Sequence, residues 1–109
     1  MTIATAKLEM HAMRLVATHA CGLLKALANP DRLLLLCQLS QGEQCVSALE
    51  NLLGIVQPTL SQQLGVLREE RLVRTRREGK HIFYRIASRE ALAVMQVLDR
   101  QFCGPGKRK

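Results

Sequence analysis

Four side chains in this 109-residue sequence could carry covalent or metal chemistry: Cys21, Cys37, Cys45 and Cys103. A cysteine acts as its thiolate, either as a nucleophile or as a soft metal ligand. Its other common role is as a small, buried, apolar residue. Cys37 ends the run Leu33-Leu34-Leu35-Leu36-Cys37 and by itself reads as core packing. Cys103 lies where a helical pattern ends, close to Lys107, Arg108 and Lys109. Cys21 and Cys45 read as packing residues, and either could trap an oxidised partner. His11 and His19 read as surface or interface residues rather than ligands. The sequence has no Gly-rich phosphate loop, no nucleophile elbow and no paired carboxylates beside a histidine, which argues against an enzyme.

A second chemistry is recognition. Across Val46–Arg77, two short apolar-patterned segments are split by Gly54-Ile55-Val56. Ala48, Leu49, Leu52 and Leu53 make one stripe, and Leu60, Leu64 and Leu67 make the other. Two short helices joined by a brief Gly-containing turn form a helix-turn-helix. At 100° per residue, Pro58, Thr59, Ser61, Gln62, Gly65 and Val66 point away from the second leucine stripe. That face is small, polar and uncharged until Arg68, whereas a solvated helix face usually carries Lys and Glu. Short hydroxyls and amides, with a glycine for close approach, suit base-pair edges in a major groove. The plainer alternative is a polar surface helix of an α-bundle.

Charge favours the first reading. The net charge is +7, with sixteen Lys and Arg against nine Asp and Glu. Arg68, Arg71, Arg74, Arg76, Arg77, Lys80, Arg85 and Arg89 follow directly on the second helix. A basic domain of this size calls for a polyanion, nucleic acid or an acidic membrane surface. The longest apolar run, Leu33 to Cys37, is far too short to span a bilayer. The start of the chain carries Lys7, Glu9, His11 and Arg14, unlike a secretory leader, so the expected compartment is the cytoplasm. Cysteines in that reducing setting are not expected to form a structural disulfide framework.

The elements that must position these residues follow from pattern and punctuation. The chain is long enough for one domain, and its 3% aromatic content calls for a core of Leu, Val and Ala. A first helix is expected over 5–28, ended by Asn29-Pro30. Pro30 then opens a second helix with Asp31 in its first turn. That helix is apolar almost all round and should be the buried central one. Gln44-Cys45-Val46 reads as an extended link into the helix-turn-helix, 46–70. A hairpin wing spans 71–86, with strands Arg71–Arg77 and His81–Ile86 and a turn at Glu78-Gly79-Lys80. Ser88 caps a last helix, 88–103, followed by a basic tail, 104–109. The first and last helices carry more apolar surface than a small bundle can bury, the last through Leu92, Met95, Leu98 and Phe102. A homodimer would cover the excess and set two recognition helices about one DNA turn apart. The expected fold is mainly α with a small β-hairpin.

The strings KALANPDRLLLLCQL, QPTLSQQLGVLREERLV and RREGKHIFYRI, in this order, resemble the ArsR/SmtB family of winged-helix repressors. The resemblance runs from Leu23 to Cys103. It implies double-stranded operator DNA as partner, with Gln57, Thr59, Ser61 and Gln62 on the major-groove face. It places Arg76, Arg77, Lys80 and His81 on the wing. Many members have a helix-capping Ser where this chain has Val56, so the cap must come from elsewhere or be missing.

The family divides by what its members sense. The His-and-carboxylate metal site of many members is absent, because the last helix has no His and only Glu90 and Asp99 as acids. The Cys-x-Cys pair of arsenic-type members reads Cys45-Val46-Ser47 here, which leaves one thiol. The branch that responds to persulfides carries one Cys late in the second helix and one at the end of the last. Cys37 and Cys103 match both positions. The resemblance therefore implies a Cys37–Cys103 dithiol switch that releases DNA when oxidised by reactive sulfur species to a disulfide or polysulfide. Cys103 would attack first and Cys37 resolve. No cofactor is implied. The alternative is a metal- or arsenite-responsive repressor using Cys45 with Cys21 or Cys103.

Overall fold

A computed structural model describes residues 7–103, and in it the expected punctuation sets the element boundaries. Helix α1 spans Lys7–Leu27 and α2 spans Pro30–Leu39. Asn29 separates them and also caps α2, its side-chain oxygen accepting the Arg32 N–H at 3.0 Å. Strand β1, Gln44–Cys45, leads into α3, Val46–Leu53. Gly54 ends α3 with φ +68°, a left-handed conformation that costs glycine nothing. Helix α4 spans Thr59–Glu69, β2 Val73–Glu78, β3 His81–Ile86 and α5 Arg89–Phe102. Ser88 caps α5 as expected, its Oγ accepting the Ala91 N–H at 3.0 Å. Positions 5–6 of the expected first helix and the basic tail 104–109 lie outside the described residues.

Helix α2 is the hub, packing against α1, α3, α4, α5 and β3. Leu35, Leu36, Leu49, Leu60, Leu64, Leu67 and Met95 are fully buried around it. Each such side chain contributes roughly 1.5–3 kcal/mol of burial free energy. No polar or charged residue is buried among the described residues, so the core is held by apolar packing alone. α2 is nevertheless not buried all round, because Leu34 faces outward.

Three other expectations need correction. The extended link is a third strand: β1 pairs antiparallel with β3, Gln44 opposite Tyr84 and Cys45 opposite Phe83, giving the sheet order β1-β3-β2. The hairpin turn is two residues, Gly79-Lys80, because Glu78 pairs with His81. Gly79 has φ +63°, as a two-residue hairpin loop demands. The first hairpin strand starts at Val73, not Arg71. Arg71 instead has φ +61° and closes α4. Its N–H donates to the Arg68 carbonyl at 3.0 Å, and the Leu72 N–H donates to the Leu67 carbonyl at 2.9 Å. This is the Schellman bond pair, usually built around glycine. Leu67 and Leu72, both buried, hold the turn shut from the apolar side.

The apolar excess of the terminal helices divides differently from the sequence pattern. Met95 and Ala91 belong to the chain's own core and are unavailable to a partner. On α5 the outward residues are Val97 and Phe102, the latter 71% exposed. On α1, Leu15, Val16 and Leu24 are exposed.

Candidate nucleic-acid interface and thiol cleft

The leucine stripe of α4 fixes which face of that helix remains outside. Leu60, Leu64 and Leu67 are buried, so Ser61, Gln62 and Gly65 are exposed on the opposite side. With Val66, Arg68 and Glu69 these residues line a shallow surface groove. Thr59 is half-buried at the helix start.

Gln57 supplies the cap that Val56 cannot. Its Oε1 accepts the Ser61 N–H at 3.0 Å, while Pro58, at the capping position, makes no side-chain bond. The Val56 and Pro58 carbonyls accept the Leu60 and Gln62 N–H groups, both at 3.1 Å. Gln57 is exposed, but one side of its amide is committed to the helix. A polar residue two positions before a helix that lacks a Ser or Asp cap was the signal available in the sequence.

On the wing, Arg74, Arg76 and Glu78 share a face with Arg85, Phe83 and His81 across the ladder. Arg76 is held there from three sides. Its Nε and Nη2 bond Glu43 at 2.8–3.0 Å, its Nη1 bonds Glu78 at 3.2 Å, and its guanidinium lies 4.5 Å over the Phe83 ring. His81 meets the same ring edge-on at 6.3 Å. The Arg76 hydrogen bond holds the Glu43 carboxyl below the usual carboxylate range. Arg77 and Lys80, by contrast, are exposed and have no ion-pair partner among the described residues. The predicted wing residues therefore divide into free cations at the tip and one cation pinned to the segment before β1.

The cysteines also separate. Cys37 and Cys103 line one cleft of about 510 Å³ between α2 and α5, with Ser40, Gln41, Gln96, Asp99 and Arg100 around them and Met95 in its wall. Both are half-buried. The Cys103 N–H donates to the Asp99 carbonyl at 2.8 Å, which fixes the sulfur's starting point at the last turn of α5. Cys45 stands at the N-terminus of α3, its Sγ 3.3 Å from Ser47 Oγ. That hydroxyl, and after it the Ala48 backbone, holds the Cys45 thiol below the ordinary thiol range. Ser47 thus touches Cys45 where a second thiol would complete a pair. Cys21 is exposed on α1. No group of three or more His, Cys, Asp or Glu that could hold a metal ion forms among the described residues. No described helix is long and apolar enough to cross a membrane.

Comparison with known proteins joins these features. The family description "Bacterial regulatory protein, arsR family" matches residues 29–75, from the α2 cap through the helix-turn-helix into the wing. The chain is 52% identical over 99 residues to the biofilm growth-associated repressor of Agrobacterium fabrum, covering 91% of this chain and 85% of that protein. The crystal structure of the transcriptional repressor BigR from Xylella fastidiosa superposes with a TM-score of 0.80 at 48% identity, over 86% of this chain and 96% of that one. Reduced HlyU from Vibrio cholerae superposes with a TM-score of 0.82 at 40% identity, over 84% and 97%. The chain therefore belongs to the ArsR/SmtB family of bacterial regulatory proteins, winged helix-turn-helix transcription regulators that bind DNA and are not enzymes.

Proposed function

We propose that this chain is a cytoplasmic, homodimeric repressor that binds operator DNA when its thiols are reduced. It lets go when Cys37 and Cys103 of one protomer are linked through sulfur. The observation that carries the switch is the shared cleft: two cysteines 66 positions apart in the sequence open into one space between α2 and α5. The outward apolar residues of α1 and α5 support the dimer. The small polar face of α4 and the free cations of the wing tip support DNA docking. In that docking Thr59, Ser61 and Gln62 meet base edges, and Arg77, Lys80 and His81 meet the backbone. Gln57 orders the start of α4, and Arg76 holds the wing.

The effector is a reactive sulfur species. An organic trisulfide balances the reaction. One cysteine thiolate attacks it and expels one thiolate, and the second cysteine attacks the bound sulfur and expels the other. Two protein thiols and RSSSR become Cys–S–S–S–Cys and two RSH. A direct disulfide requires alpha carbons within about 7 Å, and each added sulfur relaxes that limit. The link ties the central helix to α5 and so biases the spacing of the two recognition helices. A difference of about 1–3 kcal/mol between the linked and open forms is enough to change occupancy.

The test is operator binding before and after treatment with an organic trisulfide, with intact mass measured on the same samples. Cys37→Ser and Cys103→Ser bind like the reduced wild type and stay bound after treatment. Cys21→Ser and Cys45→Ser still release. Release by Cys103→Ser overturns the dithiol switch. Arsenite- or cadmium-driven release that depends on Cys45 then puts the metalloid reading in its place.

A further inference from the structure

Arg32 has no part in either site, yet its guanidinium makes three hydrogen bonds to two other helices. It lies in the first turn of α2, where its N–H is taken by the Asn29 cap. Its Nε donates to the Ala26 carbonyl at 2.6 Å, and its Nη2 to the Lys25 carbonyl at 3.3 Å. These carbonyls belong to the last turn of α1, which carries the negative end of that helix's dipole. The third arm of the fork leaves this corner. Nη1 donates to Gln63 Oε1 of α4 at 2.8 Å. One guanidinium therefore joins the end of α1 and the start of α2 to the recognition helix.

We infer that the Arg32–Gln63 bond sets the rotation of α4 about its own axis, making Arg32 a positioning residue for sequence-specific DNA recognition. The inference rests on the reading of α4 as the recognition helix. Otherwise α4 is held to α2 by Leu60, Leu64 and Leu67, and apolar burial has no direction. Gln63 lies between that stripe and the outward residues Ser61 and Gln62. A helix with side chains has a radius of about 5 Å, so a rotation of about 20° moves a side-chain tip by about 2 Å. That shift is enough to break a bidentate contact to a base while leaving phosphate contacts, made by long flexible cations, intact. The other end of the tie is α1, whose outward apolar residues the dimer is proposed to bury. The bond thus refers the angle of each recognition helix to its dimerisation helix.

The experiment measures affinity for a duplex selected from random DNA by the wild-type protein, against affinity for an unrelated duplex. Gln63→Leu keeps the size and helix propensity and leaves the Arg32 contacts to α1 in place. It lowers the specific-to-nonspecific ratio by about tenfold, with nonspecific affinity unchanged. Gln63→Glu retains an acceptor for Arg32 and keeps the ratio within about threefold of wild type. Arg32→Met and the double variant complete a cycle: the double variant loses no more than the worse single one, because one bond is removed either way. Additive losses would mean that Gln63 reads a base directly, and they overturn the inference. A wild-type ratio in Gln63→Leu overturns it too, provided Gln62→Ala lowers the ratio. If Gln62→Ala also leaves the ratio unchanged, the recognition-helix reading falls with it.

Discussion

Gln57→Ala separates two roles that a polar residue at the start of a recognition helix can play. The described residues offer the first turn of α4 one side-chain acceptor, Gln57 Oε1, 3.0 Å from the Ser61 N–H. Removing it returns that N–H to solvent and frays the turn that carries Thr59, Ser61 and Gln62. Loss of a capping side chain costs about 1 kcal/mol. For a domain of about 100 residues this lowers the thermal midpoint by about 4 °C. Midpoints are to be compared at one fixed protein concentration, because the apparent stability of the proposed dimer depends on it. Gln57→Glu keeps the acceptor and adds a carboxylate at the positive end of the helix, so its midpoint equals or exceeds that of wild type. The same carboxylate can donate no hydrogen bond and faces a polyanion, so DNA affinity falls in this variant although stability does not. A Gln57→Ala protein that melts with wild type refutes the cap. If its operator affinity is nevertheless reduced, Gln57 acts as a base contact alone.

Three further outcomes follow from single contacts. Arg71→Gly relieves a left-handed, non-glycine residue and stabilises the fold by about 0.5–1 kcal/mol, whereas Arg71→Ala keeps the strain; equal unfolding midpoints for the two would refute this. The Glu43 carboxyl has its pKa depressed by Arg76, so the contact contributes above the unfolded carboxylate range and is lost as pH falls through the folded value. Arg76 side-chain NMR shifts should move in that acidic window in wild type and move less in Glu43→Gln, where only the Glu78 contact is left. The Ser47 hydroxyl lowers the Cys45 thiol pKa, so Ser47→Ala should raise the pH midpoint at which Cys45 alkylates; an unchanged midpoint would refute this.

Much of this molecule is written within a few residues of where it is read. Asn29-Pro30, Gly54 and Ser88 mark helix boundaries because caps and stops act through backbone groups three or four positions away. The outward face of α4 follows from its leucine spacing, and the wing from alternation around Gly79. The resemblance carried by the helix-turn-helix and wing strings gave the family. Tertiary structure decided which of those residues are free to act. Arg76 looked like one more wing cation, but its partner Glu43 is 33 positions away and comes into reach only when β1 joins the sheet. Met95 looked like an interface residue, but it is buried in the chain's own core, because a stripe pattern gives a helix face and not the neighbour that buries it. Arg71 looked like a strand residue, but burial of Leu67 and Leu72 on either side turns its backbone left-handed. The Cys37–Cys103 cleft and the Arg32–Gln63 bond are of the same kind. Periodicity and capping are local forces, whereas the partner of a charge, a thiol or a guanidinium is chosen by packing between segments dozens of residues apart.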